Sequence, residues 1–157
     1  MRIIARFRTG KRAEMRGNEP FGLTTVDGRQ PMVAVVIDNA ASAMVTMTLI
    51  EQFGCLPLGV ATGEAILALL QREPDVDLVV IDLALANMDG VAVAQLIRAL
   101  GTHQFLPIVA LADNRSDAAT RGRAAGFAGT VMKPFSPREL YTALRGALAR
   151  TAARALS

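Results

Sequence analysis

The chain is poor in the side chains that most often build zinc, redox and disulfide sites. Its 157 residues include one cysteine, one histidine, one tyrosine and no tryptophan. The single cysteine, Cys55, excludes an internal disulfide and predicts a small buried residue. His103 has no second histidine and no cysteine nearby in the sequence, which argues against a zinc site.

Long apolar runs are absent as well. No run approaches the roughly 18 residues that a membrane-spanning helix requires, and the N-terminus lacks the apolar block of a signal peptide. Hydrophobic residues nevertheless make up 52% of the chain, which is enough for one core in a chain of about one domain. We therefore expect a cytoplasmic protein with a single folded domain.

Positive charge is concentrated at the N-terminus. Residues 1–31 contain seven Lys or Arg and three acids, whereas residues 32–157 contain ten and eleven. The basic segment lacks the interleaved aromatic residues and the helical stripe of a nucleic-acid or membrane contact. We predict that residues 1–31 form a disordered basic arm. Translation from Met32 is the alternative explanation of this segment.

From residue 32 onward, short apolar runs alternate with helical patterns, as in repeated βαβ units with a parallel sheet. The predicted strands lie near 33–37, 56–60, 77–82, 106–112 and 129–132, and the predicted helices near 41–53, 63–72, 91–100, 115–125 and 137–154. Gly54, Gly101 and Gly126 follow helices, as left-handed caps do. Ser136 and Glu139 match a capping box. Right-handed crossovers then place helices on both faces of the sheet.

Polar residues follow three of these strands. Asp82 closes the apolar run 78–81, Asp38 and Asn39 follow the first strand, and Lys133 follows the last. In an open parallel sheet the carboxyl ends of the strands form one edge, where ligands bind. The pattern predicts a site for a divalent metal and a phosphoryl group at that edge.

These residues together resemble the receiver domains of two-component response regulators. Asp82 stands in the place of the phosphoacceptor aspartate, and Asp38 matches the first member of the family's acidic pair. The sequences Met88-Asp89-Gly90 and Lys133-Pro134-Phe135 match two further family motifs in order. The resemblance implies a receiver domain over residues 32–150, with 151–157 as the end of the last helix and a tail. It also implies a flavodoxin-like (βα)5 three-layer sandwich with strand order 2-1-3-4-5.

The resemblance further implies the chemistry of the site. Asp82 would accept a phosphoryl group from a histidine kinase or a histidine phosphotransfer protein, and Lys133 would contact a phosphoryl oxygen. Mg²⁺ would be held by Asp38, Asn39, Asp82 and the backbone carbonyl of Ala84. Because no DNA-binding module follows the receiver, we expect a stand-alone protein that signals by contact with a downstream protein target, with homodimerisation as a further expectation.

The first helix is the expected kinase-facing surface. Its candidate residues are Ala40, Ala41, Met44, Val45 and Thr48. Packing of Met44 and its neighbours into the core is the competing interpretation, since methionine suits both roles.

Three positions depart from the family pattern. Asn39 replaces the usual second acid, which predicts weak Mg²⁺ binding. Ala112 stands where the family has Ser or Thr, and Thr130 stands where it has a switching aromatic. Two interpretations follow: a working phosphoacceptor with another output route, or a pseudo-receiver that binds a partner whatever its phosphorylation state.

Two enzyme or cofactor classes fit less well. Haloacid dehalogenase-like phosphatases need a second aspartate two residues after the nucleophile, where this chain has Ala84. A flavin site needs aromatic walls that the composition does not offer. We therefore predict a phosphoacceptor signalling protein rather than an enzyme, with self-phosphorylation on Asp82 as its only chemistry.

Overall fold

The computed structural model describes residues 22–86, 88–101, 103–113 and 126–156, with side chains up to residue 150. In chain order the elements are β1 Met32–Val36, α1 Ala40–Gln52, β2 Leu56–Val60, α2 Gly63–Arg72, β3 Leu78–Asp82, α3 Gly90–Arg98, β4 Ile108–Ala112, β5 Gly129–Met132 and α4 Pro137–Leu156. Each lies within two residues of its predicted bounds. The helix predicted over 115–125 falls outside the described residues.

The five strands form one parallel sheet in the order β2-β1-β3-β4-β5. Val33 of β1 pairs with Pro57 on one side and with Leu78 on the other, so β1 is internal. β3 pairs with β4 on its second side, with Asp82 opposite Leu111. This order confirms the predicted flavodoxin-like fold.

Side chains of each central strand alternate between two cores, because successive residues of a strand point to opposite faces. Val33 and Val35 pack into the core formed with α1 and α4. Ala34 and Val36 pack into the core formed with α2 and α3. A sheet buried on both faces explains why its strands are short continuous apolar runs rather than alternating ones.

Helix ends follow the signals read from the sequence. Gly54 and Gly101, which follow α1 and α3, have φ of 92° and 76°, the left-handed region that glycine adopts without strain. Gly126 has a φ of 68°, and the helix predicted before it lies outside the described residues. Before α4, the Ser136 amide donates to Glu139 Oε1 at 2.8 Å and the Glu139 amide donates to Ser136 Oγ at 3.2 Å. The predicted capping box is therefore confirmed.

Residues 22–31, called here the N-terminal strap, fold against the amino ends of the strands. Leu23 is 4% exposed, and its amide donates to the Phe53 carbonyl at 2.8 Å. Arg29 pairs with Asp77 at 3.0 Å, and the other Asp77 oxygen accepts from the Met32 amide at 2.8 Å. The prediction of a disordered arm up to residue 31 is thus wrong for the strap, because one leucine and one ion pair dock it. Residues 1–21 lie outside the described residues.

No helix in the described part of the chain is both long enough and apolar enough to cross a membrane.

Candidate functional site

Asp82 is the last residue of β3 and lies at the carboxyl edge of the sheet. Its side chain is 8% exposed, since β1 and β4 flank the strand on both sides. One carboxylate oxygen, Oδ1, accepts a hydrogen bond from the Ala84 amide at 2.9 Å. Hydrogen-bond donors and a nearby cation offset the cost of burying a carboxylate.

Lys133 supplies the cation. It directly follows β5, and its backbone amide donates to the Ala112 carbonyl at 2.8 Å, which continues the β4–β5 ladder. Its Nζ lies 3.0 Å from both carboxylate oxygens of Asp82. The peptide bond between Lys133 and Pro134 is cis. The structure thus brings together the two residues that the sequence placed on separate strand ends.

Neighbouring carboxylates stabilise the protonated form of Lys133. Partial burial acts to lower the pKa of Lys133, but the carboxylates of Asp82 and Asp113 outweigh it and raise that pKa above its ordinary value. Lys133 is therefore a permanent cation at neutral pH.

Asp38 lies in the turn after β1 and is exposed. Its Oδ2 accepts from the Ala86 amide at 2.5 Å, which ties the end of β1 to the loop after β3. Its neighbour Asn39 is the N-cap of α1, where Oδ1 accepts from the Ser42 amide at 2.9 Å. The amide oxygen predicted as a metal ligand is thus engaged in capping a helix.

The donor set suits a hard cation only in part. Asp38 and Asp82 provide carboxylate oxygens that each keep lone pairs beyond the bonds described above. Within residues 22–86, 88–101, 103–113 and 126–150, no group of three or more His, Cys, Asp or Glu side chains is arranged to hold a metal ion. Mg²⁺ usually keeps several waters when it binds to a protein. Two carboxylates and water can therefore complete its coordination, with less negative charge than three carboxylates would supply.

The two atypical switch positions lie on β4 and β5. Ala112 ends β4 and is 3% exposed, without a hydroxyl to offer to the site. Thr130 is exposed on β5, the strand at the edge of the sheet, opposite Ala110. Neither position carries the group that the family resemblance would place there.

Asp113 was missed by the sequence analysis. It follows β4 directly, its side chain is 62% exposed, and its Oδ1 lies 3.3 Å from Lys133 Nζ. An acid immediately after a strand is the same signal that singled out Asp38 and Asp82.

A cleft of about 640 Å³ opens beside Asp82 and Lys133. Its walls come from α1, through Ala41, Ser42, Val45, Thr46 and Leu49, and from the segment after β5, through Pro134, Phe135 and Pro137. One wall of the site is therefore the helix predicted to face a kinase.

The exposed side of α1 is mainly apolar. The residues Ala40, Ala41, Met44, Val45 and Thr48 are all exposed, with Met44 at 71% and Val45 at 60%. The alternative in which Met44 packs into the core is therefore wrong.

Comparisons with known proteins agree with this geometry. The family model described as the response regulator receiver domain matches residues 33–145. The chain is 36% identical over 122 residues to a sensor histidine kinase GacS of Pseudomonas protegens, covering 74% of this chain and 13% of that protein. It is 33% identical over 118 residues to the probable transcriptional regulator ycf27 of Porphyridium aerugineum, covering 75% and 48%. The chain thus spans about half or less of the length of these curated relatives.

Solved structures show the same architecture. A putative response regulator from Chloroflexus aurantiacus superposes with a TM-score of 0.73 at 26% identity, covering 78% of this chain and 100% of that one. The chemotaxis response regulator CheY4 of Vibrio cholerae, at 24% identity, shares the fold with a TM-score of 0.68, covering 73% and 96%. The matched span, the strand order and the likeness to these proteins show that the chain belongs to the response regulator receiver domain family of two-component systems.

Proposed function

We propose that the chain accepts a phosphoryl group on Asp82 from the phosphohistidine of a histidine kinase or a histidine phosphotransfer protein, and signals by protein contact. The observation that carries the proposal is the buried strand-end carboxylate of Asp82, with both oxygens 3.0 Å from Lys133 Nζ. A packed structural module has little use for a buried carboxylate paired with lysine, because replacing such a pair with apolar groups is often neutral or stabilising.

In the transfer, an oxygen of Asp82 forms a bond to phosphorus while the bond from phosphorus to the imidazole nitrogen breaks. The electron pair of that bond leaves with the imidazole. Lys133 and the Ala84 amide hold the Asp82 carboxylate in one orientation before the donor arrives. Lys133 then neutralises charge on a phosphoryl oxygen, which offsets the repulsion between a carboxylate and an anionic donor.

Mg²⁺ is the metal proposed for this site, with weak binding. Asp38, Asp82, the Ala84 carbonyl and the Asn39 amide oxygen would hold it, although the Asn39 oxygen also caps α1. When bound, the metal supplies positive charge beside the phosphoryl oxygens. With Asn39 in place of an acid, we expect a higher Mg²⁺ requirement than for a site with three carboxylates.

The exposed apolar side of α1 is the proposed docking surface for the phosphodonor protein. It borders the cleft that contains Asp82, so a partner helix laid against Ala41 and Val45 could present its phosphohistidine to the site. We further propose a cytoplasmic location and a protein target downstream. Output would pass through the loop of residues 83–90, which Asp38 ties to β1.

A second candidate function is a pseudo-receiver that binds its partner independently of phosphorylation. The observation in its favour is the absence of a hydroxyl at Ala112 and of an aromatic at Thr130. Without these groups, a phosphoryl group on Asp82 lacks the family's usual contact to the end of β4. A hydrogen bond from a hydroxyl to a charged group contributes about 1.5–3 kcal/mol of stabilisation.

Intact-mass measurement after incubation with acetyl phosphate and Mg²⁺ separates the two functions, with Asp82→Asn as the control. One phosphoryl adduct in the wild type and none in the variant supports the phosphoacceptor. An unmodified wild type, under conditions that modify an ordinary receiver domain, would contradict it and leave the pseudo-receiver. NMR spectra with beryllium fluoride give an independent readout, with shifts expected around Lys133.

A further inference from the structure

Lys133 is shared between two carboxylates at the same edge of the sheet. Its ammonium group lies 3.0 Å from both Asp82 oxygens and 3.3 Å from Asp113 Oδ1. An ammonium group has three N–H donors and no acceptor. Contacts to Asp82 and Asp113 can therefore occupy all three donors of Lys133.

An incoming phosphoryl group has to take one of these donors. The bonds to Asp82 are the shorter ones, and the Asp82 side chain is 8% exposed. The contact with Asp113 is the longer one, and its carboxylate is 62% exposed. Water can solvate Asp113 once its contact is lost, so Asp113 is the partner that the phosphoryl group displaces at lower cost.

Asp113 also changes the charge that an anionic donor meets. In the described part of the chain, the site holds the carboxylates of Asp38, Asp82 and Asp113 beside the cation of Lys133. Asp113 follows β4, whereas Asp38 follows β1, so the two acids flank Asp82 from opposite sides along the sheet. The negative charge that Asn39 lacks is thus supplied by Asp113, which follows β4 and lies beside Lys133.

We propose that Asp113 is a positioning residue that competes with the incoming phosphoryl group for Lys133 and thereby slows transfer to Asp82. This inference rests on the proposed phosphoacceptor function. It concerns the rate at which Asp82 is modified and assigns Asp113 no contact with the nucleophile.

The test compares initial rates of adduct formation on the full chain with Mg²⁺, for wild type, Asp113→Asn, Asp113→Glu and Asp27→Asn. Asp27→Asn is a matched control, because the Asp27 side chain is 60% exposed, pairs with Arg29 and belongs to the strap at the opposite edge of the sheet. Two donors are used: acetyl phosphate, which is more negatively charged, and phosphoramidate, which is less so.

Asp113→Asn should accelerate modification by acetyl phosphate by about three- to thirty-fold, the range for one charge removed at a partly exposed site. The acceleration should be smaller with phosphoramidate and should shrink at high salt, because both conditions weaken charge repulsion. Asp113→Glu should restore the slow rate, and Asp27→Asn should match the wild type. A merely structural role of Asp113 would produce neither the dependence on donor charge nor that on salt.

Equal, measurable rates for wild type and Asp113→Asn would overturn the inference and leave the proposed function intact. A slower Asp113→Asn protein with an unchanged circular dichroism spectrum would overturn it as well, since Asp113 would then assist transfer. If a reference receiver domain is modified and none of these four proteins is, both the proposed function and this inference are contradicted.

Discussion

The ammonium group of Lys133 lies 3.0 Å from each carboxylate oxygen of Asp82, although β3, which ends at Asp82, and β5, which precedes Lys133, are separated by β4. The pair therefore crosses the end of the intervening strand and joins three strands at one edge. Its position explains why Ala112 and Asp113, at the end of β4, are the residues best placed to alter its chemistry.

Lys133→Met should destabilise the protein by about 1–3 kcal/mol at neutral pH, because it leaves the Asp82 carboxylate buried without its cation. Urea denaturation monitored by circular dichroism measures the change. Adding Asp82→Asn to this variant should recover part of the loss, since the amide carries no charge. A Lys133→Met protein as stable as the wild type would show that the pair contributes nothing net.

The raised pKa of Lys133 predicts an alkaline limit to stability. Partial burial opposes the shift, and the Asp82 and Asp113 carboxylates produce it. The folded state holds the proton more tightly than the unfolded state, so the stabilisation is complete below pH 10.5 and is lost as the pH rises through the folded pKa. The free energy of unfolding of the wild type should therefore fall above pH 10.5 more steeply than that of Lys133→Met. If the free energy of unfolding of the two proteins depended on pH in the same way, the stabilisation would not come from the raised pKa of Lys133.

Gly90 should tolerate no side chain. A Cβ atom at this position would lie 2.7 Å from Leu83 Cα and 2.8 Å from the Asp82 carbonyl oxygen, and backbone atoms cannot move aside cheaply. We expect Gly90→Ala to destabilise the protein by about 1–3 kcal/mol and to displace the loop after β3. Gly146 is the matched control, because it is exposed in α4 and a Cβ atom there would meet nothing beyond the helix backbone within 4 Å.

Gly146→Ala should instead stabilise the protein by about 1 kcal/mol, the helix-propensity difference between the two residues. Thermal unfolding of both variants compares the two effects. Similar melting temperatures for the two variants would mean that the contact at Gly90 does not constrain the loop.

The N-terminal strap should contribute to stability although it precedes the span matched by the family model. Leu23→Ala removes a side chain that is 4% exposed and should cost about 2–4 kcal/mol. Val26→Ala, at a position that is 62% exposed in the same segment, should change stability by less than about 0.5 kcal/mol. A protein starting at Met32 should lose at least as much as Leu23→Ala. Equal urea midpoints for all of these proteins would show that the strap is not part of the cooperative unit.

The missing hydroxyl at Ala112 can be tested with two side chains of the same shape. Ala112→Thr and Ala112→Val add similar volume at a position that is 3% exposed, but only threonine can donate to a phosphoryl oxygen. If Asp82 is a phosphoacceptor, the adduct should decay about tenfold more slowly in the threonine variant than in the valine variant. Mass spectrometry after removal of the phosphodonor measures the decay. Equal lifetimes would place the hydroxyl out of reach of the phosphoryl group.

The sequence was sufficient to predict the sheet because its signals are local. Each strand is a short, mainly apolar run, and four of the five end at or just before a charged residue: Asp38, Asp82, Asp113 and Lys133. Because the strands are parallel, Asp82 and Lys133 must lie at the same edge of the sheet. Their proximity could therefore be predicted without any measured distance.

Two features could not be read in the same way. The contact between Asp113 and Lys133 depends on the β4–β5 register, in which Ala112 lies opposite Met132, and on the direction of two long side chains. The docking of Leu23 leaves no signal in the average charge of the segment, on which the prediction of a disordered arm rests. One buried leucine changes that average little, yet its packing decides whether the segment folds.

The position of the strap has a practical consequence for handling the protein. Leu23, Pro31 and Met32 lie at the amino ends of strands of about five residues, roughly 16 Å from the edge that carries Asp82. An affinity tag, fluorophore or surface linker joined directly to residue 22, in place of residues 1–21, would therefore start on the side away from the acceptor aspartate. A chain immobilised in this way would keep that edge open to any donor in solution.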